Sequence, residues 1–152
     1  MAVIVRDDGF FPDTWEKEGG LFIDLEKYGQ DVADKRPEKT ALDIPNSVGV
    51  DSLEGLFEEV AMIRIPFPSF ADGRGFSIAK QLRQRGFQGR LRAVGHVIAD
   101  QYGFARTCGF DEVEISDDLA ARQPEEQWLA RLPQDDLSYQ NTLLEQRELR
   151  NT

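Results

Sequence analysis

Between Gly75 and Ile115 the chain runs twice through one order of signals: an amphipathic stretch, a closing Gly-Phe, a short polar link and an apolar run. The two closing motifs, Arg85-Gly86-Phe87 and Cys108-Gly109-Phe110, lie 23 residues apart. In the first unit Gly75, Ile78, Ala79 and Leu82 share one face of a helix expected over Gly75–Arg85, and Gly86 suits the residue just past its end. The second unit is read as a strand over Leu91–Gly95, a helix over Val97–Cys108 with Gly109 as its cap, and a strand over Val113–Ile115. Strands alternating with helices of about ten to twelve residues argue for right-handed βαβ units and a mostly parallel sheet. The period also suits leucine-rich repeats, but their Leu/Asn signature is absent.

The flanking segments extend this core. Ala2–Val5, Asp7-Asp8-Gly9 and the following Phe10-Phe11-Pro12 read as a strand and a turn, and Leu21–Leu25 as a second short strand. Gly29 to Asn46 is polar and without period, and is expected to be a mobile loop. Ser47–Val50 reads as a short strand. Asp51 with Glu54 fits a capping box ahead of the stripe Leu53, Leu56, Phe57 and Val60. Ala61–Ile65 is the next strand, stopped by Pro66 and Pro68. Beyond Ser116 come a helical patch around Leu119–Trp128 and a last helix over about Ser138–Arg150, with Trp128, Leu132, Leu137 and Tyr139 as apolar anchors. The expected organisation is one α/β domain over 1–152: N-terminal strands and loop (1–46), a βα core (47–116) and a helical tail (117–152). About four mostly parallel strands are expected, as an open sheet or half a barrel.

Charge is segregated along the chain. From Arg64 to Phe110 stand eight Lys/Arg against two acids, a local charge of +6 inside a chain of net charge −10. Such segregation suggests a surface that meets an anion or an acidic partner. Overall acidity argues against a dedicated nucleic-acid binder. No apolar run approaches the ~18 residues of a spanning helix, and the N-terminus lacks a basic region followed by an apolar signal core, so a cytoplasmic protein without membrane association is expected. One cysteine, Cys108, and one histidine, His96, exclude an internal disulfide and leave too few ligands for a Cys/His metal site. No G-x-G-x-x-G follows a strand, which argues against a flavin or nicotinamide site, and with no other recognisable cofactor motif no cofactor is expected.

In parallel sheets, ligands collect at the carboxyl ends of the strands. That rule selects Asp72, Gly73, Arg74 and Ser77 after one strand, Gly95 and His96 after the next, and Ser116 after the last, and expects them to share one rim. Asp72-Gly73-Arg74-Gly75 suits an anion, with Arg74 offering a planar fork, yet it equally suits a turn in which Asp72 caps the helix. His96 is a candidate proton carrier or a packing residue, and Asp72 is the alternative for proton transfer. Arg92, mid-strand, needs a carboxylate if both sheet faces are covered, and Asp100 is a candidate; an ion pair is then the better reading than substrate binding. Asp100 and Gln101 either reach the rim or stabilise a first helical turn. Cys108 reads as an inert core thiol.

The stretches FADGRGFSIAKQLR, LRAVGHVIADQ and RTCGFDEVEIS resemble the bacterial domain-of-unknown-function family 934, densely from about Leu56 to Ile115. The pattern falls on Phe70, Asp72, Gly73, Arg74, Ser77, Leu82, Arg83, Arg92, Gly95, Asp100, Gln101, Arg106, Gly109 and Phe110. The resemblance implies a link to assimilatory sulfite reduction. The leading expectation is an accessory protein that docks sulfite reductase, its electron donor or an oxyanion through a basic rim that includes Arg106. The alternative is a small-anion enzyme with Arg74 and Arg92 as anion holders and His96 or Asp72 moving protons. A second copy of the chain is a further candidate partner.

Overall fold

A computed structural model describes residues 2–28 and 37–132. Among these residues seven strands form one sheet in the order β2-β1-β7-β6-β5-β4-β3. β3 (Leu21–Asp24), β4 (Thr40–Asp43), β5 (Met62–Phe67), β6 (Arg90–Gly95) and β7 (Glu112–Ile115) are parallel, each laid beside its predecessor. β1 (Val3–Arg6) and β2 (Gly9–Pro12) form a hairpin whose first strand pairs antiparallel with β7. The sheet is therefore α/β and mixed, larger than the four mostly parallel strands expected.

Laying every parallel strand on the same side of the last, with crossovers of one hand, brings the connections to one face. α1 (Arg74–Gln84) and α2 (Tyr102–Cys108) pack there, as does the 3-10 helix Val50–Leu56. Their buried residues Leu53, Ile78, Ala79, Leu82, Tyr102 and Ala105 share one cluster with alternate strand residues such as Ile63, Ile65, Leu91, Ala93 and Val113. The expected inner face of the first helix is thus the observed one. Gly86 and Gly109 follow the two helices at φ +99° and +113°, conformations a side chain rarely adopts, and Phe87 and Phe110 then turn back into the core. Trp128, on α4 (Glu125–Leu129), is buried edge-on to Tyr102 with ring centres 5.8 Å apart. Ser116 caps α3 (Asp117–Arg122), its hydroxyl oxygen accepting from the Leu119 N–H at 3.2 Å.

Among the described residues the opposite face carries no α-helix. Its residues are charged in the middle: Asp24, Asp43, Arg64, Arg92 and Glu112 stand in register across five strands. At the amino ends of the strands Trp15 covers Ala41 and Met62. At the carboxyl ends the face stays open over Pro66 and Val94.

Four sequence expectations change. Residues 29–36 of the expected mobile loop lie outside the described residues, but its second half contains β4, whose Thr40, Ala41 and Leu42 are fully buried. Four residues between polar neighbours are too short to show a period, and Asp43 looked like loop because its partner Arg64 lies on another strand. Ser47–Val50 is turn and the start of a 3-10 helix rather than a strand; that helix is capped at Gly49, while Asp51 and Glu54 both pair with Arg85. Pro66 does not stop β5, which runs to Phe67. Pairing with β4 ends at Asp43 opposite Arg64, so no neighbouring carbonyl requires an N–H from residue 66. The helix expected over Val97–Cys108 begins as a 3-10 turn, Ala99–Gln101, before α2. The expected last helix and the anchors Leu137 and Tyr139 lie outside the described residues. No helix among the described residues is long and apolar enough to cross a membrane.

Candidate functional site

Six of the ten expected site residues do gather at the carboxyl ends of β5 and β6. Gly73 is the N-cap of α1. The Asp72 carboxylate accepts the Arg74 backbone N–H at 3.1 Å and its Nε–H at 3.2 Å, and its second oxygen accepts from Asn46 Nδ2 at 2.8 Å. The Arg74 guanidinium beside it, its backbone N–H and Asn46 together hold the Asp72 carboxyl below its ordinary range. Gly95 lies at φ +112°, and a Cβ there would stand 2.7 Å from the Phe67 carbonyl oxygen, so the tight exit from β6 requires glycine. This exit sends His96 outward, where its ring meets Phe70 edge-on at 5.0 Å. Gln101 ties the rim together: its Nε2 donates to the Phe70 carbonyl at 3.0 Å, and its Oε1 accepts from the Ile98 N–H at 3.1 Å.

The other four lie apart. Ser77 is exposed on α1 and accepts from Gln81 at 3.1 Å. Asp100 pairs with Arg131 at 2.7 Å, not with Arg92. Arg106 clamps Asp7 through two 2.9 Å hydrogen bonds and also donates to the Phe110 carbonyl, while Tyr102 donates to the same carboxylate at 2.6 Å. Burial and that hydrogen bond push the Tyr102 hydroxyl well up. Arg92 lies on the helix-free face, 1% exposed, held by Glu112 at 2.7 Å, Glu114 at 3.0 Å and Asp13 at 3.3 Å. The expected ion pair is present, with partners across the sheet.

This pattern is general. Among the described residues seven of the eight island cations form ion pairs, and of the partners Asp43, Asp72, Glu54, Glu112, Asp111 and Asp7 only Asp72 lies inside the island. The acidic partner of the basic segment is largely the chain's own flanks. What stays outward at the rim is Arg74, with a side chain 66% exposed, beside Phe70 at 41%. Phe104, 58% exposed on α2, meets Phe76 of α1 edge-on with ring centres 4.9 Å apart. Cys108 is buried, which pushes its thiol up and suits the inert role expected.

Sequence reasoning missed a cleft of about 500 Å³ at the carboxyl ends of the strands on the helix-free side. Pro66 and Val94 line its floor, Leu25, Ile44 and Pro45 its walls, and Asp24, Glu26, Asp43 and Glu114 its polar edge. Arg64 fixes this edge. Its Nε and Nη2 reach Asp43 at 2.5 and 2.7 Å, Nη1 reaches Glu114 at 3.1 Å, and Phe22 lies under the guanidinium at 3.8 Å. The available signal was the period-two charge in Arg90-Leu91-Arg92 and Glu112-Val113-Glu114, which marks one face of adjacent strands. Among the described residues no group of three or more His, Cys, Asp or Glu is placed to hold a metal ion.

Residues 41–149 match the family described as "Bacterial protein of unknown function (DUF934)". No curated protein and no solved structure matches the chain. The matched span covers β4 to β7, both long crossovers and the rim. The chain therefore belongs to the bacterial DUF934 family.

Proposed function

We propose that this protein is a cytoplasmic accessory factor of assimilatory sulfite reduction that works by docking, with sulfite reductase or its electron donor as the partner. The observation that carries the reading is the exposed Phe70 against His96, with the outward, Asp72-held Arg74 side chain following at the start of α1. Aromatic and arginine side chains are enriched at protein interfaces, and here Asn46, Asp72 and Gln101 hold them in place. A free oxyanion is disfavoured at this rim, because the Asp72 carboxylate already occupies the N–H at the start of α1. The anion-binding enzyme is also disfavoured, since Arg74 stands by the helix layer and Arg92 is enclosed by carboxylates on the other face.

The test is calorimetry of the purified full chain with sulfite reductase and, separately, with its electron donor. Association with one of them, weakened about tenfold or more by Phe70→Ala or Arg74→Glu, is expected. Absence of association with both at tens of micromolar, or association indifferent to both substitutions, would remove the proposal.

A further inference from the structure

The helix-free cleft has a chemistry of its own, independent of the rim. β4 pairs with β5 only as far as Asp43 opposite Arg64, while β5 and β6 continue together to Phe67 and Gly95. The missing strand length is the space, and Pro66 with Val94 becomes its apolar floor. Carboxyl ends of parallel strands are where this class of sheet receives ligands. No residue of α1 or α2 lines the cleft, and the short 3-10 turn Leu25–Lys27 that does reach it brings the carboxylates of Asp24 and Glu26 with it, against an anion. The charged lining consists of four carboxylates and one arginine. That arginine is already committed to Asp43 and Glu114. The adjoining depression shares Val94 and Glu114 and adds Asp117 and Asp118. An incoming anion would meet negative potential from both sides, and a cation would meet carboxylates fixed in place.

We propose that this cleft binds a small organic cation, a primary ammonium group carried on an apolar body of a few carbon atoms. The apolar part lies over Pro66 and Val94, between Leu25 and Ile44. The ammonium, a compact donor of three hydrogen bonds, faces the exposed carboxylates of Asp24 and Glu26, beside the Arg64-bound carboxylates of Asp43 and Glu114. Arg64 and Phe22 keep those two carboxylates from collapsing inward, so the site is formed before the ligand arrives.

Three ligands of one length decide it: n-pentylammonium, pentan-1-ol and pentanoate, titrated into the full-length ¹⁵N-labelled chain and followed by amide chemical shifts. Pentylammonium should shift the Leu25, Ile44 and Val94 amides and saturate with a Kd on the order of 1 mM. Pentanol should bind more weakly, and pentanoate should not bind. Asp24→Asn with Glu26→Gln, both at exposed positions, should weaken pentylammonium several-fold. Val94→Phe should abolish binding by filling the floor, with the fold checked from the unchanged spectrum of β1 and β2. Phe70→Ala should leave it unchanged, which separates this site from the docking rim. Pentanoate binding as tightly as pentylammonium, shifts confined to another surface, or no saturation by about 10 mM would each overturn the proposal.

Discussion

Arg92 carries the heaviest electrostatic demand of any single residue described. An arginine with 1% exposure is tolerable only because Glu112, Glu114 and Asp13 surround it. Removing one member of a buried charged group leaves the rest uncompensated, which costs far more than an exposed pair is worth. We expect Arg92→Ala to lower unfolding stability by about 3 kcal/mol, and Arg74→Ala, at an exposed pair, to change it by less than about 1 kcal/mol. Urea denaturation of both variants checks this, and equal effects would refute the assignment of Arg92 to the interior. The need for a carboxylate was legible in the sequence, because period-two alternation sets Arg92 opposite Leu91 and Ala93. Its partners were not: Asp100 is near in sequence, whereas Glu112 and Glu114 come beside it only through strand pairing.

Elements were legible where their ends are written in local chemistry. Gly86 and Gly109 close the two helices, and Gly75, Ile78, Ala79 and Leu82 face the core as their spacing required. β4 was not legible, since its burial comes from strands on both sides, and Pro66 stays within β5 because a neighbouring strand happens to end. The link from β5 to α1 combines both kinds of information. Its turn was readable from Asp72-Gly73, but the contribution of Asn46 was not. Arg74 lowers the Asp72 pKa, chiefly through its side chain and then its N–H. A lowered carboxylate stabilises the fold above its ordinary pKa, about 3.9, and that contribution disappears as pH falls through the lower folded value. The Asp72 carboxyl, followed by carbon NMR, should therefore titrate below 3.9 in the folded chain and move upward in Arg74→Ala. A midpoint at or above 3.9 in the parent chain would contradict the contact.

Over the whole molecule, the segregation of charge along the sequence becomes pairing in space. The basic island contributes Arg64, Arg92 and Arg106, and the N-terminal segment answers with Asp43, Asp13 and Asp7. The sequence showed the segregation plainly, but whether the acids belong to a partner or to the same chain depends on topology. We therefore expect residues 47–116, although they hold α1, α2 and three adjacent parallel strands, not to fold independently. As an isolated fragment they should show no cooperative urea transition by circular dichroism; a sharp transition would mean that the flanks are ornament rather than structure.

The antiparallel union of β1 with β7 has a consequence for synthesis. Val3 pairs with Ile115, so β1 leaves the ribosome long before its sheet neighbour β7. β3 to β6 can add to one another in order as they emerge, but Ile4 and Val5 have only their own hairpin until β7 is made. A short hairpin alone is marginal in water. The nascent chain must therefore carry the apolar strand β1 unprotected until β7 emerges, and burial of that strand is the step that joins the hairpin to the parallel sheet.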